Sequence, residues 1–125
     1  MAGMLRPMDP TCELCTPAEV LFETPLAYVR PDSHSLSRGH VIIVPKRHVA
    51  SFFEMSAAEQ AAVLELLTRT QRSLQALHEP DGYNVGVNVG SAAGQSRMHV
   101  HVHLIPRYAG DVPDPRGGIR RVLSK

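Results

Sequence analysis

Three histidines alternate with aliphatic residues in the run His99-Val100-His101-Val102-His103-Leu104-Ile105-Pro106. In an extended strand alternate side chains share a face, so His99, His101 and His103 fall on one face and Val100, Val102 and Leu104 on the other. The aliphatic face has a packing reason to exist; the imidazole face does not. Two chemistries suit such a row. Neutral imidazoles are common ligands for zinc or copper. An imidazole can also act as the nucleophile in phosphoryl or nucleotidyl transfer, with its neighbours orienting it and binding charge.

The segment just upstream bears on that choice. Asn88-Val89-Gly90-Ser91-Ala92-Ala93-Gly94-Gln95-Ser96 is a loop of small residues. Such residues let a backbone approach an anion closely, and its N–H groups can then cradle phosphate oxygens. Asn88, Gln95 and Ser96 add neutral donors. A plain metal site has no need of this loop.

A second group that can do chemistry is Cys12-Glu13-Leu14-Cys15. In a chain of this composition a Cys-x-x-Cys pair reads as a metal or redox motif rather than a structural disulfide. No thioredoxin-like βαβ context surrounds it. Two thiolates cannot close a tetrahedral zinc site, so two further ligands are required.

The elements that must position these groups can be read from pattern. Ala18–Glu23 and Leu26–Val29 read as short strands separated by Thr24-Pro25, and His40–Pro45 as a strand too short and aliphatic for a helix. Ser56 and Glu59 form a capping box for a helix over Ala57–His78, with Val63, Leu67, Thr70, Leu74 and Leu77 lining one face. Pro80 and Asp81-Gly82 end it. Tyr83–Val89 and Met98–Pro106 read as strands, and the tail with Pro113, Pro115, Gly117 and Gly118 as mostly irregular. One long helix and about five strands in this order make no repeated βαβ unit, so the expectation is an α+β domain built on an antiparallel sheet.

Composition narrows the functional classes. The 125 residues are 43% hydrophobic and 20% charged, which is globular and suits one domain. Residues 1–11 read as a flexible arm and 12–125 as the single domain. The longest aliphatic run, Val41–Val44, is far short of a membrane span, and no secretory pattern opens the chain. A soluble, cytoplasmic protein is expected. The net charge of +1 and an aromatic content of 5% argue against direct nucleic-acid binding. The charge is uneven, about −3 before Arg97 and +4 from Arg97 onward, and eleven of the thirteen basic residues are arginine. Arginine suits fork-like recognition of phosphate or carboxylate.

Over nearly its whole length the chain resembles the histidine triad (HIT) family of nucleotide hydrolases and transferases. The hallmark His-φ-His-φ-His-φ-φ, with φ apolar, matches His99–Ile105 at every position. Arg38–His48 resembles the family's Gly-His-aliphatic-Pro-Lys-x-His strand. Asn88–Gly90 with Gly94–Ser96 is similar to its phosphate-facing loop, and Gly110–Gly118 to a tail of bacterial members. The resemblance implies an antiparallel sheet of about five strands with one long helix and a short additional one. It implies His101 as nucleophile at the α-phosphorus, His103 binding the phosphate and His40 as a fourth histidine beside them. Asn88 and Ser96 would hold phosphate or leaving-group atoms, with Gly94 and Gln95 in the same loop, and Asp32 would lie near the ribose. In members carrying Cys-x-x-Cys, structural zinc is completed by the histidine after Pro-Lys-x and the first triad histidine, here His48 and His99 beside Cys12 and Cys15. The resemblance further implies a purine nucleotide or nucleotide conjugate as ligand, magnesium arriving with polyphosphate substrates, and a homodimer joined edge to edge. His34 and His78 match nothing functional. Leu21, Phe22, Ile42 and Val44 read as core, with a base pocket as the other reading. Two rivals stay open: a zinc hydrolase with His99, His101 and His103 as ligands, and a protein that binds nucleotides without turnover.

Overall fold

The computed structural model describes residues 9 and 11–123. The expected arm, residues 1–11, therefore lies outside the described residues apart from Asp9 and Thr11. Five strands pair antiparallel throughout: β1 (Phe22–Glu23), β2 (Ala27–Pro31), β3 (Val41–Pro45), β4 (Gly82–Val87) and β5 (Val102–Arg107). Their order across the sheet is β1-β2-β3-β5-β4, with the helix α1 (Ala57–His78) inserted between β3 and β4 in sequence.

The continuous aliphatic run of β3 follows from its central place. Both faces of β3 are covered and all five of its residues are buried. Ala27, Val29, Val41, Ile43, Val102 and Leu104 face α1 and form the main core with Val63, Leu66 and Leu74. Tyr28, Ile42 and Val44 face the other way and pack with Leu14 of the Cys-x-x-Cys loop. The Tyr28 hydroxyl donates to the Leu14 carbonyl and fastens that loop to the sheet.

The helix has the expected limits, with Ser56 accepting from the Glu59 N–H and the Glu59 carboxylate accepting from the Ser56 N–H. Its buried stripe is Glu59, Val63, Leu66, Thr70 and Leu74. Leu66 takes a core place, Leu67 is only partly buried and Leu77 points to solvent at 73% exposure. Gly39, at φ +91°, brings the chain into β3 where a Cβ would lie 3.0 Å from His78, so only glycine fits there.

All five strand limits differ from expectation, β2, β3 and β4 by only one or two residues at an end and β1 and β5 by more. β1 is reduced to two residues, since at the sheet edge Val20, Leu21 and Phe22 remain about 40% exposed. β2 runs on through Arg30 and Pro31, drawn into register with Ile42 and Val41. β5 starts at Val102, so His99 and His101 precede the strand. The cause is Pro45, which has no N–H to continue the ladder. Its carbonyl instead accepts from His99 Nε2 at 2.7 Å, and the Val100 N–H turns to the Val49 carbonyl at 2.8 Å. The short additional helices are 3₁₀ turns at Phe52–Glu54, Ser91–Ala93 and Gly118–Leu123. The last gives the tail more regularity than its prolines and glycines suggest, with Ile119 packed against Gly86 of β4. Among the described residues no helix is long and apolar enough to cross a membrane.

Candidate functional site

The bend before β5 splits the histidine row between two sites. His99 is wholly buried and turns its Nδ1 to the two cysteines, 3.5 Å from Cys12 Sγ and 3.4 Å from Cys15 Sγ. His48, in the turn after β3, brings its own Nδ1 to 3.1 Å from Cys15 Sγ. The four ligand atoms lie within 4.8 Å of one another. A tetrahedral ion with ordinary sulfur and nitrogen bond lengths holds S and N about 3.6 Å apart, so the set fits one. The His99 Nε2–H donates to Pro45, which leaves Nδ1 as the atom facing the sulfurs. Burial raises the Cys15 thiol and lowers the His99 imidazolium. A bound divalent cation selects the thiolate and the neutral ring.

The second site lies on the same side of the sheet. The His101 Nδ1–H donates to the His99 carbonyl at 3.0 Å, which leaves the Nε2 lone pair free. His103 follows at a ring separation of 5.0 Å. His40, buried at the entrance to β3, accepts the Leu36 N–H at its Nδ1 (3.0 Å). Its Nε2–H therefore points outward, 3.0 Å from His103 Nδ1. His103 then carries its proton on Nε2, in a residue that lines the cleft. Asp32 Oδ2 stands 3.3 Å from both rings. Burial lowers His40 and His103, and Asp32 only partly opposes it, so both are neutral imidazoles at pH 7. Burial works against the Asp32 carboxylate, but the His34 N–H bond and the nearby imidazoles prevail and hold it below the ordinary carboxylate range.

A cleft of about 170 Å³ opens over this group. Asp32, Asn88, Gly94, Gln95, Ser96, His101 and His103 all line it, while His40 does not and is buried against His103. Ser91–Ala93 form a 3₁₀ turn between Gly90 and Gly94, both at positive φ. Gln95 lines the cleft as well and also holds the loop together. Its Oε1 accepts from Gly90 N–H at 2.8 Å, and its Nε2 donates to Ala50 at 2.7 Å and Arg97 at 3.0 Å. The amide is mostly buried and braces the loop from within. His78 packs at the end of α1 by Gly39, and His34 is exposed at the cleft's rim. Leu21 and Phe22 are exposed at the edge, Val44 is core, and Ile42 is on the cleft floor.

The HIT domain model matches residues 13–110. The chain belongs to the histidine triad family. It is 39% identical over 95 residues to the uncharacterized HIT-like protein MJ0866 of Methanocaldococcus jannaschii, covering 76% of this chain and 73% of that one. It is 32% identical over 95 residues to the bifunctional bis(5'-adenosyl)-triphosphatase/adenylylsulfatase FHIT of Arabidopsis thaliana, covering 76% of this chain and 53% of the plant protein. It is 35% identical over 91 residues to the adenosine 5'-monophosphoramidase hnt1 of Schizosaccharomyces pombe, covering 73% and 65%. The chain thus spans about half of the plant protein's length and just under two thirds of the yeast one's. A crystal structure of a Zn-bound histidine triad family protein from Mycobacterium smegmatis superposes with a TM-score of 0.73 at 28% identity, covering 90% of each chain.

This histidine triad chain holds three charged cleft residues that the motif reading missed: Glu13, Arg30 and Arg97. Arg97 and Arg30 both reach Glu13 Oε1, Arg97 in direct contact and Arg30 at 3.7 Å. Glu13 lies inside the Cys-x-x-Cys motif, and the one available signal was a charged residue between two metal-type cysteines.

Proposed function

We propose that the chain is a nucleotide hydrolase or nucleotidyl transferase that cleaves a purine nucleotide at its α-phosphorus through a nucleotidyl-histidine on His101. The observation that supports this most is the His101 Nδ1–H bond to the His99 carbonyl. It presents Nε2 as a neutral nucleophile without a separate base. In the first step Nε2 bonds to phosphorus as the bond to the leaving group breaks; the leaving group takes a proton from solvent, and His101 becomes a phosphorylated imidazolium that keeps its Nδ1–H. In the second, water attacks the same phosphorus and gives up a proton to solvent, the P–N bond breaks with its electron pair returning to Nε2, and a nucleoside monophosphate leaves. His103 Nε2–H and the backbone around Gly94 donate to the phosphate oxygens as charge spreads over them. His40 keeps His103 in the donor tautomer, and Asp32 stands beside the His40 Nε2–H and faces the ribose. Asn88 and Ser96 supply further donors.

Cys12, Cys15, His48 and His99 would hold zinc in a closed, structural site. The donor set supports that ion, and it carries no step of the reaction. Magnesium would arrive on the phosphates of a polyphosphate substrate rather than in a protein site. The row of three histidines does not converge as ligands: His99 groups with Cys12, Cys15 and His48, His103 groups with Asp32 and His40, and His101 joins neither. The geometry therefore favours the covalent route over a zinc-bound water. The homodimer the family implies would use the sheet edge at β4, where Val85 is 44% exposed.

The test is AMP release by wild type and His101→Ala from an adenosine phosphoramidate and from diadenosine tetraphosphate. A loss of about a thousandfold or more in the variant, some 4 kcal/mol of barrier, with AMP still bound, is expected. Cleavage that survives in the variant overturns His101 as nucleophile. AMP binding without turnover in the wild type points to a nucleotide sensor instead.

A further inference from the structure

Arg30 carries a guanidinium whose side chain is only 13% exposed. Burying a charge is costly unless it is paired. Yet its partners are few: Nε donates to its neighbour's carbonyl, Pro31 O, at 3.1 Å, and the nearest carboxylate, Glu13, is 3.7 Å away. Glu13 itself is half-exposed and shares one oxygen between Arg30 and Arg97. Two arginines therefore converge on a single carboxylate oxygen inside the cleft that holds His101 and His103, and the trio keeps a net charge of +1.

Register fixes where this lies. Arg30 pairs with Ile42, and Ile42 pairs with His103. The three form one row across β2, β3 and β5, so their side chains share a face of the sheet. Arg30 is two strand spacings from His103, about 10 Å. Ile42 and Leu14 give the ground between them an apolar floor.

We propose that Arg30 and Arg97 form a second anion subsite for a further phosphate of the nucleotide ligand, with the Glu13 carboxylate standing in for that phosphate. Arginine forks suit a tetrahedral oxyanion better than a shared carboxylate oxygen. Glu13 has the solvent access to swing aside. The substrate class becomes a nucleotide with two separated phosphate groups, in the chain or on the ribose, rather than one whose only anion is the reacting phosphate. Glu13 then screens ligands, held in position by the flanking cysteines. This rests on the reading of the cleft as a nucleotide site.

The experiment is calorimetric binding to the metal-loaded protein of three probes: AMP, the methylene-bridged analogue of ADP, and an adenosine bisphosphate with its second phosphate on the ribose ring. Proteins are wild type, Arg30→Met, Arg97→Met and Glu13→Gln, each checked for metal content and melting temperature. Wild type is expected to prefer one two-phosphate probe over AMP by about tenfold or more, the strength of one charge-assisted contact. Which probe wins identifies whether the second phosphate belongs to the chain or the ribose. Each arginine variant is expected to lose that preference with AMP binding within about twofold of wild type. Glu13→Gln is expected to tighten the preferred probe severalfold, whereas a carboxylate that merely anchors its loop would leave it unchanged or weaker. Equal binding of all probes, or arginine variants that weaken AMP as much as the others, overturns the subsite and leaves the nucleotide reading intact. Absence of AMP binding by wild type overturns the nucleotide reading and this proposal with it.

Discussion

The ring of His99 faces the cysteines while its carbonyl oxygen, 3.0 Å away, accepts the Nδ1–H of His101. One residue therefore serves both sites. Its ring is fixed at one nitrogen by Pro45 and at the other by the sulfur pair, and its backbone fixes the tautomer of the proposed nucleophile. The candidate metal centre lies outside the cleft, but it is one peptide unit away from setting the geometry of attack.

Loss of the metal should thus slow chemistry more than it weakens binding. Cys15→Ser, or chelation under conditions where the protein stays folded, is expected to lower kcat by about 10- to 100-fold, the usual cost of disturbing an orienting partner. KM should change little, and returning zinc to the chelated protein should restore the rate. Metal content by mass spectrometry and steady-state AMP release check this. Unaltered kcat in protein freed of metal would sever the link between His99 and His101.

Gln95 offers a test of the loop. Its amide is buried and joins Gly90, Ala50 and Arg97 through three bonds. Gln95→Leu keeps the bulk but strands those backbone groups, at about 1–3 kcal/mol for each that water cannot reach. A lower melting temperature and a raised KM are expected, since the backbone of Gly90–Gly94 would no longer be held open towards the cleft. If Gln95 touched the ligand directly, the variant would lose affinity without losing stability. Thermal unfolding beside kinetics separates the two.

Much of this was legible beforehand because the signals were local. The capping box at Ser56 and Glu59, the aliphatic run of β3 and the three alternating histidines are each contained within a few residues. The likeness to known histidine triad sequences then supplied what periodicity could not, the partnership of Cys12 with His99 across 87 positions. Three things escaped. The start of β5 at Val102, after His99 and His101, depends on Pro45 in another strand. The inward turn of Gln95 depends on the carbonyl of Ala50. The meeting of Glu13, Arg30 and Arg97 joins three segments, none of which has a motif to announce it.

Acid should also act on the fold through groups that position the site from behind, and Glu59 is the clearest. Its buried carboxylate receives Arg47 Nε at 2.9 Å and Nη2 at 2.8 Å, and the Ser56 N–H at 2.8 Å. Arg47 lies between Pro45, which anchors His99, and His48, so this fork ties the start of α1 to the candidate metal centre. The Arg47 bonds, helped by Ser56 and opposed by burial, hold the Glu59 carboxyl below its ordinary value of 4.5. A group lowered in the folded state contributes stability that is complete above its unfolded pKa and disappears as pH falls through the folded one. Glu59→Gln is expected to cost about 2 kcal/mol at pH 7, from the loss of charged hydrogen bonds. That difference should persist down to pH 4.5 and shrink below it, as the wild-type carboxyl itself takes up a proton. His40 and His103 also lose stability in acid, because burial keeps them neutral, but they titrate in both proteins and cancel in the difference. Urea unfolding of both proteins between pH 7 and pH 3 measures it. A difference that stays constant to pH 3 would show that the cost of Glu59→Gln lies in packing and not in the ion pair.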